Sequence, residues 1–386
     1  MKSFTHSNLF ILILVIAFAV LQSCTPYQKA LRAYDGHIPE NEIRALWIVR
    51  DQLVSRSRIQ AIVAFMHKWG FNTAIVQVRG RGDAWYRSDF VMRAAELPDG
   101  LDPLAEFIRA AHPRGITVHA WINVFFAASP EQAANPPANH LAARHPDWFL
   151  KDKSGRSMLS YTVAEIEQAQ TEGAFLDPAL PAVQKYNLRV SQEILTRYKV
   201  DGLHLDFIRY PWSRPGTNYD YGRDTIIKQQ AASNIVLNAE SLNELRRKAV
   251  SDMVRAYYQQ IRRLNPKLIL SAAVWPNYQK SYHQIFQDFT GWIRGGYLDY
   301  AYLMAYYTSE TVHDSRMEAF YDPLINSHFI IGSGLYLMPD PEVVVHQIRS
   351  ARAIGAAGVS IFRAREIVDG ARHGIMARYR LVDLLP

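Results

Sequence analysis

The chain has 386 residues, 49% of them hydrophobic, with a net charge of +7 and a single cysteine. Such a composition is ample for a large core and excludes both a disordered chain and one held by disulfides. The basic excess is mild and forms no Lys/Arg cluster, so nucleic acid is not an expected partner, whereas anionic envelope polymers or lipid surfaces are.

Lys2 precedes an unbroken apolar run over residues 9–21, short for a membrane span of about 20 residues but suited to a signal-peptide core. The run ends in Leu21-Gln-Ser-Cys24, and a sole cysteine in that place resembles a bacterial lipobox. Residues 1–23 then read as a lipoprotein signal peptide and Cys24 as the lipidated residue that anchors a soluble body to a membrane. Thr25, rather than Asp, follows the cysteine, which by analogy sorts the protein to an outer membrane, facing the periplasm. Residues 24–41 read as the lipidated cysteine and a polar tether, and 42–386 as one domain.

Within that domain strands are expected at 43–50, 73–79, 116–124, 203–210, 268–275, 298–306, 329–336 and 359–363. Helical patterns lie between them at 58–69, 102–114, 183–198, 242–264, 283–294 and 340–354. Asp102-Pro103 and Asp340-Pro341 each place a capping residue before a first-turn proline, and Gly70, Gly115 and Gly355 supply stops. Eight strands alternating with helices is the count of an α/β fold of the (β/α)8 TIM-barrel type. An open doubly wound sheet also alternates, but Arg50-Asp-Gln-Leu-Val stands where its glycine-rich fingerprint belongs.

The fourth strand carries the strongest functional signal, Asp201-Gly-Leu-His-Leu-Asp-Phe-Ile-Arg-Tyr-Pro211. Asp206 falls near its C-terminal end, the face where barrel enzymes build their sites, and a carboxylate there is costly to bury without partners. The connections after strands three and four are long and aromatic, with His145, Trp148, Phe149 and Tyr161 in one and Trp212, Tyr219 and Tyr221 in the other. Other strand ends supply Arg79, His119, Asn123, Trp275, Tyr306 and Arg363. Aromatic faces ringed by amides and arginines suit sugar rings, whose C–H faces stack while their hydroxyls take polar partners.

Glycosidic cleavage needs two carboxyl groups across a cleft. Asp206 is the candidate nucleophile or base, and Asp83 or Glu366 the candidate acid. Gly82-Asp83 is equally good turn chemistry and Glu366 could cap a helix, so both have structural counter-readings. Arg79, His119, Asn123, His204, Arg209, Tyr210, Trp275 and Tyr306 are the candidate substrate contacts. Asp201 and Asp299 begin strands and fall on the stability face. His119 and His204 lie on adjacent strands, yet no further ligand sits at a zinc-like spacing, and no Gly-x-Ser-x-Gly elbow appears. No cofactor or metal is implied, and the sequence leaves oligomeric state open.

Together, Arg44-Ala-Leu-Trp47, Val76-Gln-Val-Arg79 with Gly82-Asp83-Ala84 and Tyr86, His119-Ala-Trp-Ile-Asn123, Leu176-Asp-Pro178 and the 201–211 stretch resemble the bacterial glycosyl hydrolase-like family 10. The resemblance runs from about residue 42 to 370. It implies a (β/α)8 barrel and glycoside hydrolysis, and members include envelope lipoproteins, among them a peptidoglycan hydrolase acting on glycan strands stripped of peptides. The fourth strand is also similar, more distantly, to the Asp-Gly-x-Asp-x-Asp-x-Glu strand of family 18 chitinases. There Asp206 matches the last Asp, His204 replaces the middle one, and Ile208 stands where the acid Glu belongs. That departure keeps a competing reading open, a non-catalytic glycan-binding lipoprotein on a degenerate barrel.

Overall fold

A computed structural model describes residues 25–214, 219–231, 237–319, 321–338 and 340–369. Cys24 and residues 1–23, read from the sequence as a signal peptide, lie outside the described residues.

Eight short, largely apolar runs form parallel strands that are buried on both faces, as parallel strands require. They are β1 (Ile43–Ile48), β2 (Thr73–Arg79), β3 (Thr117–Asn123), β4 (Gly202–Asp206), β5 (Ile269–Val274), β6 (Tyr300–Leu303), β7 (Phe329–Gly334) and β8 (Gly358–Phe362). Each pairs with the next, and β8 pairs back onto β1 with Ile43 opposite Gly358, so the sheet closes into the expected (β/α)8 barrel. The closure depends on Gly358: a Cβ there would overlap the Ile43 carbonyl. Alternation then sorts the side chains. Ala45, Trp47, Ile75, Trp121, Ala273, Tyr302 and Ile330 fill the barrel, while Leu46, Ile48, Val76 and Leu203 face the helices.

The helices used below are α1 (Pro26–Ala33), α2 (Arg56–Lys68), α3 (Pro103–Ala111), α4 (Pro181–Arg197), α5 (Ala239–Leu264), α6 (Phe289–Arg294), α7 (Glu310–Glu318) and α8 (Pro341–Ala353). Their starts follow local capping chemistry: Asp102 accepts from Ala105 N at 3.2 Å, and Asn238 forms a capping box with Ser241. The helix expected over 283–294 is two pieces, Tyr278–Gln284 and α6, because Asn277 and Asp288 each cap a start. The 25–40 stretch read as a tether contains α1, which docks on the barrel's outer layer. Tyr27 is 1% exposed, and its hydroxyl donates to Asp314 Oδ1 at 2.7 Å and lies 2.8 Å from Ser350 Oγ. Beside it, Arg352 of α8 holds both oxygens of Glu42 at 2.7 and 2.9 Å, tying the start of β1 to the helix layer.

Candidate active site

Asn123 and Asp206 are register partners where β3 and β4 end at the C-terminal mouth. The strand expected to reach residue 210 stops at Asp206 because Phe207 takes a left-handed conformation, φ 49°. Few non-glycine residues adopt it, and it costs of order 1–3 kcal/mol. The turn brings the Phe207 N–H onto Asp206 Oδ1 at 2.7 Å, while the Trp121 indole donates to Oδ2 at 3.1 Å. Both carboxylate oxygens are thus aimed. Burial pushes the Asp206 carboxyl up to about 6, against the pull of the Phe207 N–H, the Arg209 charge and the Trp121 indole, with the Glu172 charge pushing the same way as burial.

The mouth has an aromatic floor. The Trp47 ring meets Trp121, His204, Tyr302 and Phe362 edge-to-face at centroid distances of 4.9, 4.7, 5.9 and 5.9 Å. His204 belongs to this floor and is fully buried, with Nδ1 2.9 Å from Ser271 Oγ. Burial holds its imidazole well below the usual range, so it is neutral packing beneath the site, not the substrate contact expected.

Around the floor, Arg209 lies 5.5 Å over the Trp275 ring and 4.8 Å over Phe207, and its Nη2 donates to Glu172 Oε1 at 2.5 Å. Trp212 meets Trp275 at 6.1 Å. Across the mouth Tyr306 stacks on Phe362 at 5.6 Å and meets Tyr336 at 6.2 Å. Burial, then the charge of Asp206, push the Tyr306 phenol well above its ordinary value. Glu366 follows β8 and accepts from Arg363 Nε at 3.1 and 3.2 Å, a charge pair beside Tyr336. Of the residues expected from sequence, the mouth therefore gathers Asp206, Asn123, Arg209, Trp275, Tyr306 and Glu366.

Four others go elsewhere, each for a local reason. A register shift between Gln77 and Arg79 turns Arg79 out of the barrel. It is fully buried in the wall, bonded to the Asn123 and Val124 carbonyls and 5.7 Å over the Tyr186 ring. Gln77, before the shift, keeps the inward face of Ile75 and accepts from Arg50 Nη1 at 3.1 Å. His119 sits two residues below Trp121, at the opposite end of the barrel beside Gly202 and Thr117, where burial lowers it to about 4. Tyr210, past the Phe207 turn, is buried against Phe286 and Gly222. Asp83 accepts from the Gly80 and Arg81 N–H groups and the Trp85 indole at 3.3, 2.9 and 3.3 Å, so it braces the loop after β2.

Sequence reasoning missed Glu172. It lies in the long β3–α4 connection, after a short helix at Val163–Ala169, and Gly173 beside it (φ 146°) fits against the Ala128 carbonyl where a side chain would clash. Its charge reaches Asp206 and pushes that carboxyl up. An acid next to a glycine, in a loop already marked by its length on the C-terminal face, was the available signal. Ile208 is buried in the helix-facing core, so the position where chitinases carry their acid has left the mouth altogether.

A closed (β/α)8 barrel with an oriented carboxyl and an aromatic, arginine-lined mouth defines a glycosidase-type protein. Residues 42–330 match the family model described as Glycosyl hydrolase-like 10, and the chain belongs to that family. It is 23% identical to the glycosyl hydrolase YngK of Bacillus subtilis over 86% of this chain and 68% of that protein. It is 25% identical to the glycosyl hydrolase DigH of Escherichia coli over 75% and 69%. Among solved structures it is similar in fold to α-L-fucosidase isoenzyme 2 from Paenibacillus thiaminolyticus, with a TM-score of 0.59 and 16% identity over 88% of this chain, about half (50%) of that one. The catalytic domain of a Paenibacillus polymyxa β-amylase gives a TM-score of 0.54 and 10% identity over 91% of this chain and all of that domain (100%).

Proposed function

We propose that this protein hydrolyses glycosidic bonds in a cell-envelope polysaccharide, with peptidoglycan glycan strands as its substrate and a lipid on Cys24 as its membrane anchor. The observation that carries the reading is Asp206: a mouth carboxyl aimed by two donors and raised to about 6 by burial, matched to proton transfer near neutrality. In this reading Asp206 donates the proton to the departing glycosidic oxygen, rather than serving as the nucleophile or base expected from sequence. Glu172, held as an ion pair by Arg209, is the second carboxylate, either attacking the anomeric carbon or activating water. Trp275, Trp212, Tyr306 and Tyr336 offer faces to sugar rings, and Asn123 orients the Trp121 indole that serves Asp206. The envelope address rests on the apolar run and lipobox-like cysteine of the sequence, and the substrate on the family's resemblance. The test is release of reducing ends from peptidoglycan sacculi and from amidase-stripped strands, with Asp206→Asn and Glu172→Gln alongside. Release by the wild type alone supports the reading. Release by Glu172→Gln at wild-type rate moves the second role elsewhere, and binding without release favours a glycan-binding lipoprotein.

A further inference from the structure

The loops that follow β2 and β3, together with α4, line a cavity with a different chemistry from the mouth. It is about 160 Å³ and is lined by Phe90, Arg144, His145, Trp148, Tyr186 and Arg189 among others, with no Asp or Glu in its wall. That is below the ~300–1,000 Å³ of drug-sized ligand sites, so it has room for one ring or one substituent. Its aromatic side is built: His145 stacks flat on Trp148 at 3.9 Å with an 11° interplanar angle, and Trp148 meets Tyr186 at 5.5 Å. Its polar side is cationic. Arg189 lies 4.3 Å over the Phe90 ring, and the Arg144 charge reaches the Tyr186 phenol. Asp89, next to Phe90, and Glu193, one turn past Arg189, both pair with Arg197 at 2.5 and 3.6 Å. Arg144 and Arg189 therefore have no carboxylate partner among the described residues.

Two exposed guanidinium groups without a carboxylate partner thus line the same cavity as the stacked aromatic faces, an arrangement suited to an anion on a ring. We infer that this cavity is an outer glycan subsite for a sugar residue that carries a carboxylate. The sugar ring lies on the Trp148–His145 face and the carboxylate takes the two arginines, whose planar donors match it. The inference deepens the proposed function, because it assumes a polysaccharide entering the mouth from the same face. It adds that the polymer is recognised through its acidic units, at a place apart from the bond being cleaved.

The test compares glycan strands bearing free carboxylates with the same strands after carbodiimide–borohydride reduction of those groups to alcohols. Full-length Asp206→Asn protein, in detergent, is titrated calorimetrically with each, so binding is read whether or not turnover occurs. We expect the unreduced strands to bind more tightly, and Arg144→Gln with Arg189→Gln to weaken them by about tenfold per arginine. The reduced strands should be unaffected by these substitutions, and the double lysine variant should restore part of the loss. Equal weakening for both strands, no weakening, or no binding of the acidic strands would overturn the subsite. In the Asp206-intact protein, the arginine substitutions should raise KM on acidic strands and leave kcat unchanged. Charge-selective binding without any hydrolysis would retain the subsite and remove the glycosidase reading, so the two fail separately.

Discussion

Asp206→Asn should make the protein more stable at neutral pH while it abolishes turnover. The Asp206 carboxyl rises from 3.8 to about 6 on folding. At ~1.36 kcal/mol per pKa unit, that is a penalty of about 3 kcal/mol on keeping it ionised. The amide carries no such penalty, but it has one acceptor oxygen for two donors, the Phe207 N–H and the Trp121 indole, and mismatching one costs about 1 kcal/mol. A net gain of about 2 kcal/mol remains at pH 7.5, a few degrees in Tm. The sign follows from linkage. Below the unfolded value both states are protonated and the wild type loses nothing. Between about 4 and 6 the unfolded chain releases its proton first, so wild-type stability falls as pH rises, and above 6 the whole penalty is present. Thermal melts of both proteins at pH 4 and 7.5 give the difference free of other titrating groups. An Asn variant less stable at pH 7.5, or a difference that does not change with pH, would refute the burial of Asp206 as the cause of its poise.

Trp121→Phe removes a donor that the ionised Asp206 uses, so the carboxyl should rise further, by about one unit, since the indole is shared with Asn123 at an equal 3.1 Å. With Asp206 acting as the acid, the alkaline limb of the kcat/KM profile should move up by that amount, and an unmoved limb would assign it to another group. Arg352→Ala leaves the buried Glu42 with only Arg44 at 3.8 Å, and should cost ~3 kcal/mol, the low end for a broken buried pair, in urea unfolding without altering the mouth.

The barrel was legible because its evidence is redundant. Most strands are short β-branched and aromatic runs, and β2 has the bounds expected of it, Thr73–Arg79. The helices α3 and α8 announce themselves by an aspartate before a proline. The carboxylate of Asp206 was legible for a related reason, as the polar residue at the end of a strand that opens on the active face. The loops were less so. Thr162 and Glu165 form a capping box that is written in the sequence, yet Val163–Ala169 is polar enough to pass for coil, and Glu172 beyond it carries no local mark of its role. The partnership of Glu172 with Arg209 spans 37 residues and exists only once the loop has folded over the mouth.

Arg79 and Tyr210 are misplaced for one reason. Counting alternate positions along a strand assigns a face correctly only while the backbone stays regular, and it breaks where the barrel departs from regularity. The register shift before Arg79 takes that residue out of the alternation and into the wall, while Gln77, inward with Ile75, accepts from Arg50. The left-handed turn at Phe207 ends β4 early, so Ile208 and Tyr210 enter the packed layers while Arg209 swings over the aromatic rim. His119 and His204 fail differently, because they do point inward as counted. The barrel is filled in layers, and depth decides function: His119 lies at the far end, His204 under the Trp47 floor, and only the topmost layer, with Asn123 and Asp206, meets the cleft. Both irregularities lie next to Asn123 and Asp206, one at the end of β2, beside the strand of Asn123, and one just past β4, which carries Asp206. The turn at Phe207 itself supplies a hydrogen bond to Asp206, so the strain stored there goes into aiming the group that the chemistry needs.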